Sequence, residues 1–172
     1  SLAVSWQTVA RYLDLMADLM LVRRLRPWAA NEGKRLVRAP KVYVRDSGLV
    51  HALLGLTHFD DVIAHPVAGG SWEGWVIDNL LATAPLGTQA YFYRSSAGAE
   101  IDLVLELPKR QRWAIEIKRS LSPKLERGFH AACADLAPNR KFVVYPGVER
   151  YRLAADIEAL SLEDLAMESV AI

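Results

Sequence analysis

Two short segments rich in aliphatic residues carry acidic residues and one lysine at alternating positions. In residues 100–106 the aliphatic side chains alternate with Asp102, and in residues 113–118 they alternate with Glu116 and Lys118. If these segments pair as antiparallel strands, the three polar side chains lie together at one end of a sheet. The spacing therefore predicts a cluster of two carboxylates and one ammonium group.

Such a cluster contains the parts that metal-dependent hydrolysis of a phosphodiester needs. Two carboxylates on neighbouring strands form a hard-oxygen site that suits Mg²⁺. A lysine beside them can orient a water molecule, help to deprotonate it, and offset charge that develops on a phosphate. Glu100 faces the same way as Asp102 and is either a further ligand or an ion-pair partner of Arg94. Taken alone, E-x-K on a strand is usually a solvated surface pair.

The elements that must position this cluster follow from the periodicity of apolar residues. Helices are predicted over residues 72–84 (with Ser71 as N-cap), 123–136 and 162–167. Strands are predicted over 89–94, 100–106, 113–118 and 141–145, with a hairpin at 107–112 and a short extended piece at 151–153. This order predicts the α/β class, with a mixed sheet flanked by helices.

The first fifty residues are basic and have a different pattern. They contain nine Lys and Arg residues against four acidic residues, about +5, whereas the remainder is about −4. Ser5 is expected to cap a helix, followed by extended segments at 21–25, 34–38 and 41–44 and a short helix at 47–54 capped by Asp46. Helix, strand, turn and strand match the last helix and wing of a winged helix-turn-helix. We therefore expect the chain to begin inside that domain.

A basic winged helix is expected to contact DNA, although a solvated wing is the alternative interpretation. The candidate base-reading residues are Gln7, Thr8 and Arg11. The candidate phosphate-binding residues are Arg23, Arg24, Arg26, Lys34, Arg35 and Arg38. Pro66 and the pair Gly69-Gly70 indicate a linker, so the expected organisation is a truncated winged helix over 1–56, a linker over 57–70 and a second domain over 71–172.

Longer matches point to a family. Asp102, thirteen intervening residues and Glu116-Ile117-Lys118 resemble the D…E-x-K signature of PD-(D/E)xK nucleases. The words SWEGWVIDNLL, YFYRSSAGAEIDLVLE and WAIEIKRS resemble the C-terminal domain of unknown function in many prokaryotic AAA-type ATPases. VSWQTVARYLDLM and RAPKVYVRDSGLVHALLG resemble the winged-helix segment that precedes it there.

The resemblance has consequences for both the fold and the site. It implies a partial winged helix followed by a restriction-endonuclease-like mixed sheet. It implies catalytic roles for Asp102, Glu116, Lys118 and Glu73, and Mg²⁺ bound by the carboxylates of Asp102 and Glu116. Glu73 is then either an auxiliary ligand of the metal or an orienting base. It also implies DNA as a partner and an ATPase domain in cis.

Absent features narrow the function further. No G-x-x-x-x-G-K-[ST] loop is present, so ATP is expected to bind only in an ATPase domain upstream of Ser1. The single cysteine, Cys133, excludes an intramolecular disulfide, and no apolar run approaches the roughly 20 residues that span a bilayer. Together these features favour a cytoplasmic protein without membrane association.

Three functions are consistent with these observations. The first is a nuclease-like enzyme that cuts or clamps nucleic acid and is driven by the ATPase; the presence of Asp102, Glu116 and Lys118 together favours it. The second is a catalytically inactive module for binding DNA or protein, which the acidic balance of the later residues favours. The third is a structural role in holding the protomers of an ATPase oligomer together.

Overall fold

The chain forms two compact units, seen in a computed structural model that describes residues 4–28, 36 and 39–172. The first unit is drawn from Ser1–Arg24 and Val42–Trp75, and the second from Leu25–Lys41 and Val76–Ile172. The strand expected over 34–38 lies outside the described residues except for Leu36, and so do the side chains of Lys34, Arg35 and Arg38.

The described residues form six helices and eight strands. In chain order they are α1 (Trp6–Asp18), β1 (Val22–Pro27), β2 (Lys41–Val44), α2 (Ser47–Leu53), α3 (Phe59–Ala64), α4 (Val67–Thr83), β3 (Gln89–Arg94), β4 (Glu100–Leu107), β5 (Gln111–Ile117), α5 (Arg127–Leu136), β6 (Arg140–Val144), β7 (Tyr151–Ala154), β8 (Ile157–Leu160) and α6 (Leu162–Val170). A single 3-10 turn, Pro108–Arg110, joins β4 to β5.

The strands form one mixed sheet in the order β2-β1-β3-β4-β5-β6-β8-β7. Strands β3, β4 and β5 are antiparallel neighbours, whereas β5, β6 and β8 run parallel. Parallel neighbours need a crossover, and α5 provides it between β5 and β6. The predicted mixed sheet flanked by helices is therefore confirmed.

The centre of the second unit is buried on both faces of the sheet. Val104 and Ala114 are fully buried, although they lie on the same faces of their strands as Asp102 and Glu116. Phe129 and Ala132 of α5 belong to the same buried cluster as these two residues. On this face the β4–β5 pair carries polar groups at both of its ends, with Asp102 and Glu116 at one end and Glu106 and Arg112 at the other. The two carboxylates of Asp102 and Glu116 therefore lie at the margin of an apolar core.

The first unit confirms two predicted helix caps. The Ser5 hydroxyl accepts a hydrogen bond from the Thr8 backbone N–H at 3.2 Å, and the Asp46 carboxylate accepts one from the Leu49 N–H at 3.1 Å. These bonds satisfy backbone donors that the first helical turn leaves without partners. No residue of α1 is buried, and Tyr12 is 62% exposed. The described residues therefore leave the apolar face of α1 largely uncovered.

The segment expected to be a linker, 57–70, is helical for most of its length. It contains α3 and the first turn of α4, which begins at Val67 directly after Pro66. Ser71 therefore lies inside α4 and is not its N-cap. Glycine in a helix costs up to about 1 kcal/mol relative to alanine, and the buried residues further along α4, such as Val76 and Leu80, offset that cost.

Other bounds differ where local signals are weak. Helix α5 begins at Arg127, so residues 123–126 of the expected helix 123–136 are not helical. The strand β8 was not expected at all. Its four residues pair parallel with β6 from Ile157 to Leu160, and this pairing places the β7–β8 ribbon at one edge of the sheet.

Candidate active site

The β4–β5 hairpin brings the two expected carboxylates together. Its antiparallel register runs from the pair Leu107–Gln111 beside the turn to the pair Leu103–Ile115. Asp102 and Glu116 are the next residues on their strands, at the end away from the turn. The prediction that these two residues lie on adjacent strands is confirmed.

Glu116 is the least solvated member of the cluster. It is 7% exposed, and its Oε1 atom lies 2.8 Å from the Nζ atom of Lys118. Its Oε2 atom is buried and has no hydrogen-bond partner among the residues that the structure describes. Burial and the nearby Asp102 carboxylate raise the pKa of Glu116 to about 7, against the lowering influence of Lys118. This carboxyl group therefore changes its ionisation near neutral pH.

Lys118 directly follows Ile117, the last residue of β5. Its backbone N–H donates to the carbonyl oxygen of Val144 on β6 at 2.9 Å, which fixes the lysine beside the carboxylates. Burial lowers the pKa of Lys118, but the charges of Glu116 and Asp102 outweigh burial and raise that pKa above its ordinary value. The amine is therefore protonated at neutral pH, which suits it to orienting a water or a phosphate rather than to accepting a proton.

Asp102 has a partner on each of its carboxylate oxygens. The backbone N–H of Ile117 donates to Oδ2 at 3.0 Å, and Nζ of Lys41 lies 3.4 Å from Oδ1. Lys41 also lies 3.4 Å from Oε1 of Glu100, and 5.5 Å from the ring centre of Phe92. The sequence does not predict a role for Lys41 at this site, because the pattern of residues 41–44 matches the wing and nothing in that segment indicates a contact 61 residues further along the chain.

The two other glutamates of β4 form ion pairs. Glu100 pairs with Arg94 and with Lys41, so of the two interpretations left open for it, the structure shows the ion pair with Arg94. Burial raises the pKa of Glu100, but these two cations outweigh burial and lower that pKa below its ordinary value. Glu106 pairs with Arg112 at 2.9 Å near the hairpin turn and lies outside the cluster.

The described residues offer a metal ion two carboxylate ligands, those of Asp102 and Glu116, and do not surround it with protein ligands. Among the described residues, no group of three or more His, Cys, Asp or Glu side chains is placed to hold a metal. Mg²⁺ is commonly bound by only one or two carboxylates, with waters and substrate phosphates as its remaining ligands. A buried carboxylate oxygen without a partner, such as Oε2 of Glu116, is the kind of atom that a cation would satisfy. The residues present therefore fit a hard divalent cation held by Asp102 and Glu116.

Glu73 belongs to the first unit. The hydroxyl of Tyr43 donates a hydrogen bond to its Oε1 atom. The Tyr43 side chain also packs closely on the helix at Gly74, where an added Cβ would lie 3.1 Å from Cβ and Cδ1 of Tyr43. This tyrosine therefore holds the carboxylate in place within the first unit. The role expected for Glu73, as an auxiliary ligand or an orienting base, stays a prediction.

The expected DNA-contacting residues differ in how available they are. Gln7 and Arg11 are exposed on α1, one turn apart. The Thr8 hydroxyl lies 3.0 Å from Oγ of Ser5, so Thr8 takes part in the helix cap. Arg24 on β1 forms an ion pair with Asp14 of α1, and Arg23 is the neighbouring residue on that strand. DNA contact by these residues stays a prediction.

A membrane span requires a helix that is both long and apolar. Within residues 4–28 and 39–172, no helix combines enough length with enough apolar character to cross a bilayer.

Two family models match the chain. Residues 68–165 match the family described as Domain of unknown function (DUF4143), and residues 1–60 match Domain of unknown function (DUF8612). The uncharacterized protein Mb2031c of Mycobacterium bovis and the uncharacterized protein Rv2008c of Mycobacterium tuberculosis are each 42% identical over 171 residues. The alignments cover 96% of this chain and 37% of each relative, so the chain spans little more than a third of the length of these curated relatives. No solved structure matches.

Proposed function

The chain belongs to the DUF4143 family, and from this premise we propose that it is the C-terminal part of an AAA-type ATPase whose second unit is a Mg²⁺-dependent, nuclease-like phosphodiesterase. The observation that carries the proposal is the burial of the Glu116 carboxylate with one oxygen unsatisfied among the described residues. This carboxylate is buried beside Asp102 and Lys118, and within the described part of the chain one of its oxygens has no hydrogen-bond partner. Burying a charged group is unfavourable unless it is paired and hydrogen-bonded, and Lys118 compensates only one of the two oxygens. Groups with a perturbed pKa also cluster at functional sites.

Each residue of the cluster has a distinct role in the proposed chemistry. Asp102 and Glu116 hold the metal, which when bound would polarise a phosphoryl oxygen and lower the pKa of a water. The Ile117 N–H fixes the orientation of the Asp102 carboxylate. The Lys118 ammonium orients the attacking water and offsets the negative charge of a phosphate group. All of these groups belong to the second unit.

In the same proposal, the first unit supplies contact with duplex DNA. Gln7 and Arg11 are exposed on α1, and they present one amide and one guanidinium group. Arginine and glutamine side chains hydrogen-bond to base edges, and arginine also binds phosphates. The ATPase that would deliver the substrate is proposed to lie in the part of the longer relatives that this chain does not cover.

A second candidate function is a catalytically inactive module for binding DNA or protein. A specific observation favours it: three carboxylates, those of Glu100, Asp102 and Glu116, are matched by three cations, those of Lys41, Arg94 and Lys118. A charge-balanced cluster of this kind can stabilise a fold without any metal. A cleavage assay distinguishes the two functions.

The assay compares the wild type with Lys118→Ala and Asp102→Ala on supercoiled plasmid and on single-stranded DNA. Mn²⁺ or Mg²⁺ is present in one arm and EDTA in the other, and Asp156→Ala, which changes an exposed carboxylate paired with Lys141, is the matched control. Calorimetry measures metal binding to each variant in parallel.

The expected result is metal-dependent cleavage by the wild type and the control. Lys118→Ala should bind metal but not cut, and Asp102→Ala should do neither. Metal binding without cleavage of either DNA would support the inactive module, and cleavage that persists in Asp102→Ala would exclude this site as its source.

A further inference from the structure

Lys41 occupies a position that a bound cation would also favour. Its Nζ atom lies 3.4 Å from Oδ1 of Asp102 and 3.4 Å from Oε1 of Glu100. The side chain is 17% exposed and lies beside the ring of Phe92. An ammonium group held between two carboxylates and an aromatic ring is a well-placed counter-ion.

The other oxygen of Asp102 is also engaged. The Ile117 N–H donates to Oδ2, and Nζ of Lys41 lies 3.4 Å from the other oxygen, Oδ1. In the same cluster, Nζ of Lys118 lies 2.8 Å from Oε1 of Glu116, and among the described residues Oε2 is the buried oxygen without a hydrogen bond. A metal that binds both carboxylates therefore meets an ammonium group on Asp102.

We propose that Lys41 is a built-in competitor of the metal, which occupies Oδ1 of Asp102 in the metal-free protein and is displaced when a divalent cation binds. This inference rests on the proposed function, because it takes Asp102 and Glu116 as the ligands. Two cations that share one carboxylate oxygen lie within a few ångströms of each other and repel strongly away from bulk water. Lysine is suited to displacement, because its charge is carried on a flexible four-carbon stem.

The competition lowers the affinity of the site for the metal. It also links metal binding to the release of Lys41 from Asp102. The coupling is reciprocal: if Lys41 weakens metal binding, metal binding must release Lys41 from Asp102 to the same extent. The ammonium so released becomes available to an anionic ligand such as a phosphate group. Lys41 is thus a residue that sets metal affinity and links metal binding to a change in the charge presented beside the site.

The test titrates the full chain with Mn²⁺ by calorimetry. Lys41→Gln removes the charge, Lys41→Arg keeps it, and Lys109→Gln makes the same change of charge at the opposite end of the β4–β5 hairpin. We expect Lys41→Gln to bind Mn²⁺ about tenfold more tightly than the wild type. Lys41→Arg and Lys109→Gln should stay within about twofold of the wild type, since neither removes a charge from the cluster.

A second measurement uses the wild type and does not depend on how a variant folds. Amine-reactive labelling followed by mass spectrometry compares the modification rate of each lysine with and without Mn²⁺. Metal should speed the labelling of Lys41 and leave that of Lys109 unchanged. A rate for Lys41 that Mn²⁺ does not change would overturn the inference.

The outcomes separate this inference from the proposed function. If the wild type binds Mn²⁺ and Lys41→Gln binds it equally or more weakly, Lys41 is no competitor, although the metal site stands. If neither the wild type nor Lys41→Gln binds Mn²⁺, both the inference and the metal site are overturned, because removal of the competing charge has then exposed no site.

Discussion

The backbone N–H of Ile117 donates to Oδ2 of Asp102 at 3.0 Å, so a carboxylate on β4 is tied to the neighbouring strand β5. This bond fixes the orientation of Asp102 before any ligand is bound. It also means that Asp102 contributes to stability as well as to the proposed chemistry, and two variants can separate these contributions.

Asp102→Ala and Asp102→Asn should differ in stability but not in metal binding. Alanine leaves the Ile117 N–H without its acceptor, which costs about 1–3 kcal/mol when the group is removed from water. Asparagine keeps an acceptor oxygen but removes the charge that binds metal. Chemical denaturation in EDTA should therefore show the alanine variant to be the less stable. Equal stability of the two variants would mean that the hydrogen bond contributes nothing measurable.

Glu116 should make the metal-free fold less stable as pH rises. Its folded pKa, about 7, is raised above the ordinary 4.5. A raised pKa means that the group's contribution to stability is fully present below about pH 4.5 and is lost as pH rises through about 7. Glu116→Gln removes this loss. Between about pH 4.5 and pH 8, the free energy of unfolding of the variant should therefore rise relative to that of the wild type by up to about 3 kcal/mol.

The measurement is denaturant unfolding in EDTA across that pH range. Glu163→Gln, which neutralises an exposed carboxyl in the first turn of α6, is the control. A difference between Glu116→Gln and the wild type that does not change with pH would show that Glu116 is solvated in the native protein.

Two glycines of α4 should respond in opposite ways to alanine. At Gly74 an added Cβ would lie 3.1 Å from Cβ and Cδ1 of Tyr43, whereas at Gly70 nothing lies within 4 Å. Gly74→Ala should therefore cost about 1–3 kcal/mol through overpacking. Gly70→Ala should stabilise by up to about 1 kcal/mol, because alanine favours a helix. Thermal unfolding checks both, and a stabilising Gly74→Ala would show that Tyr43 moves aside freely.

Duplex DNA binding by the first unit should depend on salt. Each phosphate that a basic side chain neutralises adds about 0.9 to the steepness with which log K falls against log salt. Arg11→Ala should therefore weaken binding, and the slope of log K against log salt should become less steep by about 0.9. Arg152→Ala, at an exposed arginine on β7, is the matched control. Fluorescence anisotropy between about 50 and 200 mM salt makes the comparison. An Arg11→Ala slope equal to that of the wild type would exclude Arg11 from phosphate binding.

The sequence predicts the carboxylate pair well because it depends on local patterns. Alternation in β4 and β5, and a hairpin between them, are short-range features that determine which residues lie opposite each other. The burial of Glu116 could not be predicted this way. It arises from tertiary neighbours of a strand that resembles a half-exposed one in sequence. Strand β6 pairs with β5 along one edge, and residues of α5 join the buried cluster that contains Ala114.

Contacts between residues far apart in sequence, and elements with weak local sequence signals, cannot be predicted from the sequence for related reasons. Lys41 reaches Asp102 through the tertiary fold, and no periodic pattern connects residues so far apart in sequence. The Gly69-Gly70 pair resembles a break, yet α4 continues through it, because packing later in the helix outweighs a low local propensity. Strand β8 has only four residues, and its partner β6 is separated from it in sequence by β7.

The most direct test of the metal site is thermal unfolding of the wild type and of Asp102→Ala, with and without Mg²⁺ or Mn²⁺. A ligand at ten times its Kd stabilises the folded state by about 1.4 kcal/mol. That corresponds to a rise in Tm of about 3–5 °C for a chain of this size. The account predicts this rise in the wild type, with no rise in Asp102→Ala. An equal rise in both proteins, or none in either at millimolar metal, would contradict a metal site at Asp102 and Glu116.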